Sequence, residues 1–228
     1  FNNARFFKSN MSGKCDSIHS STKKALTELI GRPVVWNEEN QLTGDVIHLI
    51  GDNKTEKIDS LKVINNAFII SRDSLGTGYN QAKGLNMYGK FKDNKLDYID
   101  LVKNTEAVFY IYDDDDDKTL IGIEKKISSS INITFEDNKF NVITSLKNVE
   151  SQMYPEKDLP ENARNLRGFN WRGDEIIRTK EDIFPPEEEE LDKKMQKDAK
   201  KEAATENTPM KIRKETLNYD KDKLKVKK

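Results

Sequence analysis

Five consecutive aspartates, Asp113 to Asp117, form the longest acidic run in the sequence and the first candidate for a metal site. If Asp113 takes position 1 of a calcium-binding loop, Asp115 and Asp117 fall at positions 3 and 5, and Glu124 falls at position 12. Position 6, where the sharp turn needs glycine, is Lys118. Because the flanking segments also alternate like strands, the run indicates a solvated hairpin tip, and no metal site is predicted.

A glycine-rich segment and two histidines are the next groups whose chemistry could matter. Gly76 and Gly78 precede Lys83, but a phosphate loop needs a further glycine and a lysine that follows it. His19 and His48 lie far apart in the sequence, with no CxxC motif beside them, so a zinc site is not predicted. The carboxylates are too numerous for any one pair to indicate acid–base catalysis. The sequence therefore predicts a protein that is not an enzyme and holds no cofactor.

Arginines and aromatic residues alternate between residues 155 and 186, where the regular strand pattern has ended. Such residues can stack on the bases of single-stranded nucleic acid, and they are equally the usual anchors of protein interfaces. No compact basic sheet face accompanies them, which favours a protein partner and no nucleic acid. The predicted partner-binding residues are Arg164, Arg167, Phe169, Trp171 and Arg172.

A short turn sequence occurs three times, at residues 52–54, 93–95 and 137–139, and each time it reads Asp-Asn-Lys. The copies are 41 and 44 residues apart, and each is followed at the same distances by an isoleucine, an aliphatic residue and a lysine. Asp and Asn tolerate the left-handed backbone of tight turns. Repeats of this length are typical of one supersecondary unit that stacks on its neighbours. We interpret each copy as the turn of a β-hairpin.

Apolar and polar residues alternate on both sides of these turns, which indicates strands with one buried face. Ile131, Ile133 and Phe135 share one face, and Phe140 and Val142 share another beyond the third turn. The pattern predicts an all-β fold, a sheet, roll or barrel, with about ten strands. The predicted strands cover residues 34–36, 41–50, 57–63, 67–71, 85–91, 96–102, 107–112, 121–125, 131–135 and 140–146.

Three segments between these strands have weaker patterns. Residues 20–29 could form one helical turn or a long loop. Residues 41–50 are predicted as a single strand in which Gly44 marks a bulge or a close approach of the backbone. Residues 73–84, with three glycines, are predicted as a loop.

The composition divides the 228 residues into a folded part and a solvated part. Charged and hydrophobic residues each make up 35%, and the net charge is −1. We predict a β domain over residues 1–150, an interaction arm over 151–186, and a charged helix with a basic tail over 187–228. No apolar run is long enough for a transmembrane helix. Cys15 alone cannot form an internal disulfide, and a chain that starts at Phe1 is expected to be a fragment or a processed form.

Several short segments resemble the OstA/LptA family of lipopolysaccharide-transport bridge proteins. The first are residues 1–7 (FNNARFF) and 11–17 (MSGKCDS). Residues 29–36 (LIGRPVVW) and 40–45 (NQLTGD) are distinctive together. Residues 76–84 (GTGYNQAKG), with 87–89 (MYG), resemble the longer OstA-like branch. The resemblance covers about residues 1–150 and leaves the arm and tail outside it.

This resemblance implies a β-jelly roll with an apolar slot between two sheets. Acyl chains of lipopolysaccharide, those of its lipid A part, would lie in the slot and need only apolar surface from the protein. The implied partners are other jelly-roll domains, joined by edge-strand addition, and an outer-membrane assembly β-barrel of the LptD kind. The implied location is the periplasm, at the outer membrane. The expected slot residues are Val46, Phe68, Ile70, Phe109, Ile111, Ile131, Ile133, Phe135, Phe140 and Val142.

Three other functions are compatible with parts of the pattern. The same fold could be a scaffold whose slot is filled, with an arm and tail that clamp a membrane-protein complex. A β-propeller fragment would share the repeat length but requires Trp-Asp and Gly-His signatures, which are absent. A nucleic-acid binder would use residues 164–172 and the basic end, and would bind in a salt-dependent way.

Overall fold

The chain forms an extensively paired antiparallel β structure. The computed structural model describes residues 3–8, 11–52, 57–73, 75–113, 115, 119–160 and 163–184. It contains no α-helix in these ranges, only short 3-10 turns, so the prediction of an all-β fold is confirmed. The strands are β1 Ala4–Lys8, β2 Met11–Cys15, β3 Ser17–Ser21, β4 Leu26–Ile30, β5 Val34–Asn37, β6 Asn40–Thr43, β7 Val46–Gly51, β8 Ile58–Ile64, β9 Ala67–Arg72, β10 Tyr79–Gly84, β11 Asn86–Lys92, β12 Lys95–Tyr112, β13 Leu120–Glu136, β14 Lys139–Leu146 and β15 Glu150–Tyr154.

The strands form two facing layers, which we call sheet 1 and sheet 2. In sheet 1 the order is β1-β2-β5-β6-β9-β10, then the second half of β12, the first half of β13, and β15. In sheet 2 the order is β3-β4-β7-β8-β11, then the first half of β12, the second half of β13, and β14. The long strands β12 and β13 bend between their halves and belong to both sheets. Hairpins therefore alternate between the layers, as predicted for a jelly roll.

The chain crosses from sheet 2 to sheet 1 at four corners of the same kind. Each corner has two successive residues with positive φ: 31–32, 65–66, 103–104 and 147–148. Glycine and asparagine adopt this left-handed conformation at low cost, and three of the four corners have asparagine as the second residue. The chain returns from sheet 1 to sheet 2 at other positions, one of them Gly44, where a Cβ atom would collide with the Val63 side chain. The predicted close backbone approach at Gly44 is confirmed.

The repeated Asp-Asn-Lys sequence marks the hairpin turns of sheet 2. Asp93 and Asn94 join β11 to β12, and Asp137 and Asn138 join β13 to β14, all with positive φ. Such paired left-handed residues form the turns that suit twisted hairpins. In the first copy, Asp52 follows β7 and the rest lies outside the described residues. Four strand segments separate successive copies, so each repeat adds one hairpin to each sheet.

The structure corrects three predictions about local structure. Residues 20–29 belong to the β3–β4 hairpin, whose turn is the 3-10 helix Thr22–Lys24. Residues 41–50 are two strands, β6 and β7, separated by a corner. Residues 73–84 include a full strand, β10, which pairs with β9 on one side and β12 on the other. The first and third segments are rich in polar residues, and their strand structure comes from pairing with neighbours rather than from their own pattern.

The described chain continues past the sheets as an arm, which we define as residues 155–183. It contains the 3-10 helices Glu156–Asp158, Gly173–Glu175 and Glu181–Ile183. The chain divides into two compact units, residues 1–183 and 184–228. The predicted helix and basic tail over 187–228 lie outside the described residues. None of the described helices has the length and apolar character required to span a membrane.

Candidate functional site

The space between the two sheets is lined by apolar side chains from nearly every strand. Most of these are completely buried, and they form one continuous core. The fully buried members include Leu29, Val35, Leu42, Ile47, Val63, Ile69, Met87, Ile99, Leu101 and Ile133. Side chains of this kind offer only dispersion and hydrophobic contacts.

The apolar interior stays partly open where β14 closes sheet 2. Phe135, Phe140 and Ile143 pack against the core but are only half-buried. The Phe140 ring makes edge-to-face contacts with Phe135 of its own sheet and Phe109 of sheet 1, at centroid distances of 5.3 and 6.0 Å. This aromatic cluster therefore joins the two sheets at the open end and leaves apolar surface exposed there.

Two strand edges flank this open end. In the described structure β14 and β15 each pair only with β13, so each leaves one side without a neighbouring strand. Val142, Leu146, Val149 and Met153 on or between these strands are each about half-exposed. Unpaired edges with exposed apolar side chains are typical sites for adding a strand from another chain.

On the side opposite the corners, the turns of the two sheets meet along a line that we call the seam. The β5–β6 turn of sheet 1 contacts the turns at 93–94 and 137–138 of sheet 2. Asn40 Nδ2 donates to the Asn138 carbonyl oxygen at 2.7 Å, and Asn138 Nδ2 donates to the Glu38 carboxylate at 2.5 Å. Asn37 receives a hydrogen bond from the Leu96 amide at 3.3 Å. Polar groups of the turns therefore meet at this lateral boundary of the interior.

The arm crosses the outer face of sheet 1 from β13 to β1. Two fully buried glutamines hold its main chain. Gln81 receives a hydrogen bond from the Leu166 amide at 2.9 Å and donates to the Arg164 carbonyl at 3.0 Å. Gln41 receives one from the Arg172 amide at 2.7 Å and donates to the Asn170 carbonyl, also at 2.7 Å. A side-chain amide has one donor group and one acceptor, so it pairs with a peptide group as a second peptide would.

Beyond Gln41 the arm is fixed by ion pairs. Glu175 pairs with Arg172 in bidentate fashion, at 2.7 and 2.9 Å, and with Lys14 of β2 at 2.6 Å. The hydrogen bonds from Arg172 and Lys14 hold the pKa of Glu175 down to about 2. Further on, Arg5 of β1 donates to the Asp182 carbonyl oxygen at 3.1 Å. The arm thereby reaches the first strand of sheet 1.

A second apolar cluster lies between the arm and sheet 1. Arm residues Leu159, Ala163 and Leu166 are buried against strand residues that point away from the interior. Phe169 and Trp171 pack on the ring of Tyr79, at 5.3 and 5.2 Å. Sheet 1 is therefore covered on both faces. This explains why β9 is buried at five successive positions.

The predicted slot residues occupy several environments. Phe109, Ile131 and Ile133 are buried in the interior, and Ile111, Phe135 and Phe140 pack against it. Phe68 and Ile70 lie instead on the outer face of sheet 1, beneath the arm. Val46 is only half-buried. The corner at Gly44 resets the inward–outward alternation of side chains, so that the next residue, Ile47, points into the interior.

Val142 is 54% exposed, although the alternation predicts that it shares a face with Phe140. The pairing of β13 with β14 shifts between Ile133 and Phe135, so a bulge adds one residue to β14. The next inward residue after Phe140 is consequently Ile143. A bulge of this kind has no signal in the sequence.

The predicted partner-binding residues contact their own domain. Phe169 and Trp171 pack on sheet 1, and Arg172 pairs with Glu175. Arg164 Nη1 donates to the Tyr110 hydroxyl at 3.4 Å. The Arg167 side chain is exposed, and Lys83 Nζ donates a hydrogen bond to the Arg167 carbonyl oxygen at 3.4 Å. Partner binding by this segment remains a prediction.

The described residues include no group of three or more His, Cys, Asp or Glu side chains placed to hold a metal ion. The acidic run begins directly after β12, and the Asp115 amide donates to the Asp113 carboxylate at 2.8 Å. The glycine-rich segment is held by Tyr112, whose hydroxyl donates to Asp73 at 2.5 Å. Burial, together with the Asp73 carboxylate, raises the pKa of Tyr112, which keeps this donor protonated.

Sequence reasoning missed the residues that organise the site. Gln41 and Gln81 occupy strand positions like any polar surface residue, and only the arm makes them buried. Asn94 and Asn138 are recognisable as turn residues, but their contacts with Asn37 and Asn40 depend on how the two sheets face each other.

Comparison with known proteins shows a likeness to solved structures and none to known sequences. No family model matches the chain, and no curated protein sequence matches it. The crystal structure of LptH from Pseudomonas aeruginosa, the LptA-homologous periplasmic component of a lipopolysaccharide transport device, is similar to this chain with a TM-score of 0.47 and 14% sequence identity. The match covers 64% of this chain and 95% of LptH.

Proposed function

We propose that this chain is a non-enzymatic lipopolysaccharide-transport bridge of the periplasm. It holds acyl chains between its two sheets and passes them toward an outer-membrane assembly complex. The observation that carries this proposal is the continuous apolar interior, which remains partly open beside Phe140 at its β14 end.

Acyl chains suit this interior because it is long and uniformly apolar. Its side chains come from both sheets and extend from β1 and β2 to β14. Burial of hydrocarbon gains about 25 cal/mol for each Å² removed from water, without directional contacts. The family resemblance of residues 29–36, 40–45, 76–84 and 87–89 is what selects lipopolysaccharide among acyl-chain lipids.

The open end supplies a docking surface for the next component. A jelly-roll domain that added strands to β14 and β15 would extend both sheets and continue the apolar interior. It would also cover the exposed Val142, Leu146 and Met153. The partners that fit are other jelly-roll domains and the jelly-roll part of an LptD-like barrel.

A second function, a scaffold in a membrane-protein complex, is supported by how completely the chain's own side chains fill the interior. Leu29, Ile47 and Ile99 are all 0% exposed, so the core is already well packed in this conformation. In that case the open end would bind a partner domain, and the interior would bind no lipid.

Replacement of Phe140 by aspartate tests the proposed function. A carboxylate at the half-buried open end is expected to weaken lipopolysaccharide binding at least tenfold, because an acyl chain would have to desolvate it. Binding is measured by displacement of a fluorescent acyl probe from the purified chain. Val142→Asp, two residues along the same strand but exposed, is the matched control and should bind as the native chain does. Equal binding by both variants and the native chain would contradict the proposal.

A further inference from the structure

The interior has two lateral boundaries of different construction. On the corner side the chain itself passes between the sheets, for example at residues 65–66 and 103–104. These covalent crossings cannot separate. On the opposite side the turns of the two sheets meet at the seam, where two hydrogen bonds join a side chain to the main chain and one joins two side chains. Phe140, two residues beyond Asn138, also contacts Phe109 of sheet 1 through its ring.

The groups at the seam are buried but incompletely satisfied. Asn37 and Asn40 are 0% exposed, and Asn138 is 7% exposed. The side-chain carbonyl oxygens of Asn40 and Asn138 are buried, and neither has a hydrogen-bond partner in the described structure. Water would satisfy both oxygens if the seam opened. Because hydrogen bonds to water replace those that are lost, a polar seam separates at much lower cost than an apolar one.

Neighbouring turns on the sheet 2 side are also connected to each other. Lys57 approaches Asp93 at 3.4 Å, and Lys95 approaches Asp137 at 3.7 Å. These pairs link turns of the same sheet and do not cross the seam.

We infer that the seam is a latch, and that acyl chains reach the interior laterally when the contacts of Glu38 and Asn40 with Asn138 separate. This inference rests on the proposed function and adds the route of admission. In the closed state Asn37, Asn40 and Asn138 hold the two rims together and the interior is filled. In the open state the same residues are hydrated and the apolar side chains behind them accept the lipid.

A disulfide across the seam tests the latch. In a chain with Cys15→Ser, the pair Glu38→Cys and Asn138→Cys replaces two residues whose side chains are in contact. The pair Lys57→Cys and Asp93→Cys is the control, because it joins two turns of sheet 2 only. The association rate of purified lipopolysaccharide micelles is measured for each pair, oxidised and reduced.

Oxidation of the seam pair is expected to slow association at least tenfold, reduction should restore it, and the control pair should not respond. Equal rates for the oxidised and reduced seam pair would overturn the latch while leaving the proposed function in place. Failure of the native chain to bind lipopolysaccharide would overturn both. Asn40→Ala provides a second reading that does not depend on a disulfide: loss of the 2.7 Å hydrogen bond should speed association, and an unchanged rate would contradict the latch.

Discussion

Replacement of Ile133 by aspartate is expected to unfold the two-sheet domain. Ile133 is 0% exposed and pairs with Ile99 on one side and Ile143 on the other. An unpaired carboxylate at such a position costs about 3–5 kcal/mol or more, against a total stability of about 5–15 kcal/mol for a typical domain. Thermal unfolding followed by circular dichroism measures the effect.

The conservative variant Ile133→Val serves as the control and should cost only about 0.5–1.5 kcal/mol. An Ile133→Asp protein that melts at the temperature of the native chain would show that this side chain is not in a closed core. Loss of lipid binding in Ile133→Asp would therefore report unfolding, and a half-buried position such as Phe140 is the better probe of binding.

Simultaneous replacement of Gln41 and Gln81 by leucine is expected to release the arm from sheet 1. Each glutamine makes two hydrogen bonds to the main chain of the arm, and leucine would leave those peptide groups without partners. The cost is about 1–3 kcal/mol for each buried group left unpaired. Hydrogen exchange of residues 163–175 should increase strongly, and proteolysis after Arg164 and Arg167 should become faster.

Gln152→Leu is the matched control for this pair. Gln152 is an exposed residue of the edge strand β15, and its side-chain oxygen accepts a hydrogen bond from the Tyr154 hydroxyl. Its replacement should leave the arm protected. Unchanged hydrogen exchange in the Gln41→Leu, Gln81→Leu protein would mean that the apolar contacts of Leu159, Leu166 and Trp171 hold the arm alone.

The sequence predicts the parts of the fold that depend on local physics. Asp93-Asn94 and Asp137-Asn138 are recognisable as turns because few other pairs adopt a left-handed backbone at both positions. The alternation of residues 131–135 predicts an inward face because the strand there has one covered side. The sequence predicts one hairpin at each copy of the repeat, whereas the structure has four strand segments between successive copies.

The remaining features depend on contacts between distant segments. Phe68 and Ile70 have the apolar character of interior residues, but the arm covers the other face of β9 and buries them there. β10 lacks a clear alternation because Gln81 faces the arm while Ala82 faces the interior. The Val142 side chain points outward because β14 has a bulge where it pairs with β13. None of these contacts can be derived from a single segment considered alone.

The arm has a clear consequence for the predicted interface residues. Phe169 and Trp171 are the types of residue that often anchor protein interfaces. In this structure their rings pack on sheet 1 of the same chain. A partner that uses these two side chains would first have to displace the arm. Arg167 is the predicted interface residue whose side chain is exposed as the structure stands.

Photocrosslinking along β14 distinguishes an interior that holds acyl chains from one that side chains alone fill. A photoreactive phenylalanine analogue placed at Phe140 faces the open end of the interior, whereas the same analogue at Val142 faces solvent. After incubation with lipopolysaccharide and irradiation, we expect a lipid adduct at position 140 and none at position 142. Adducts of equal yield at both positions, or an adduct at 142 alone, would contradict it.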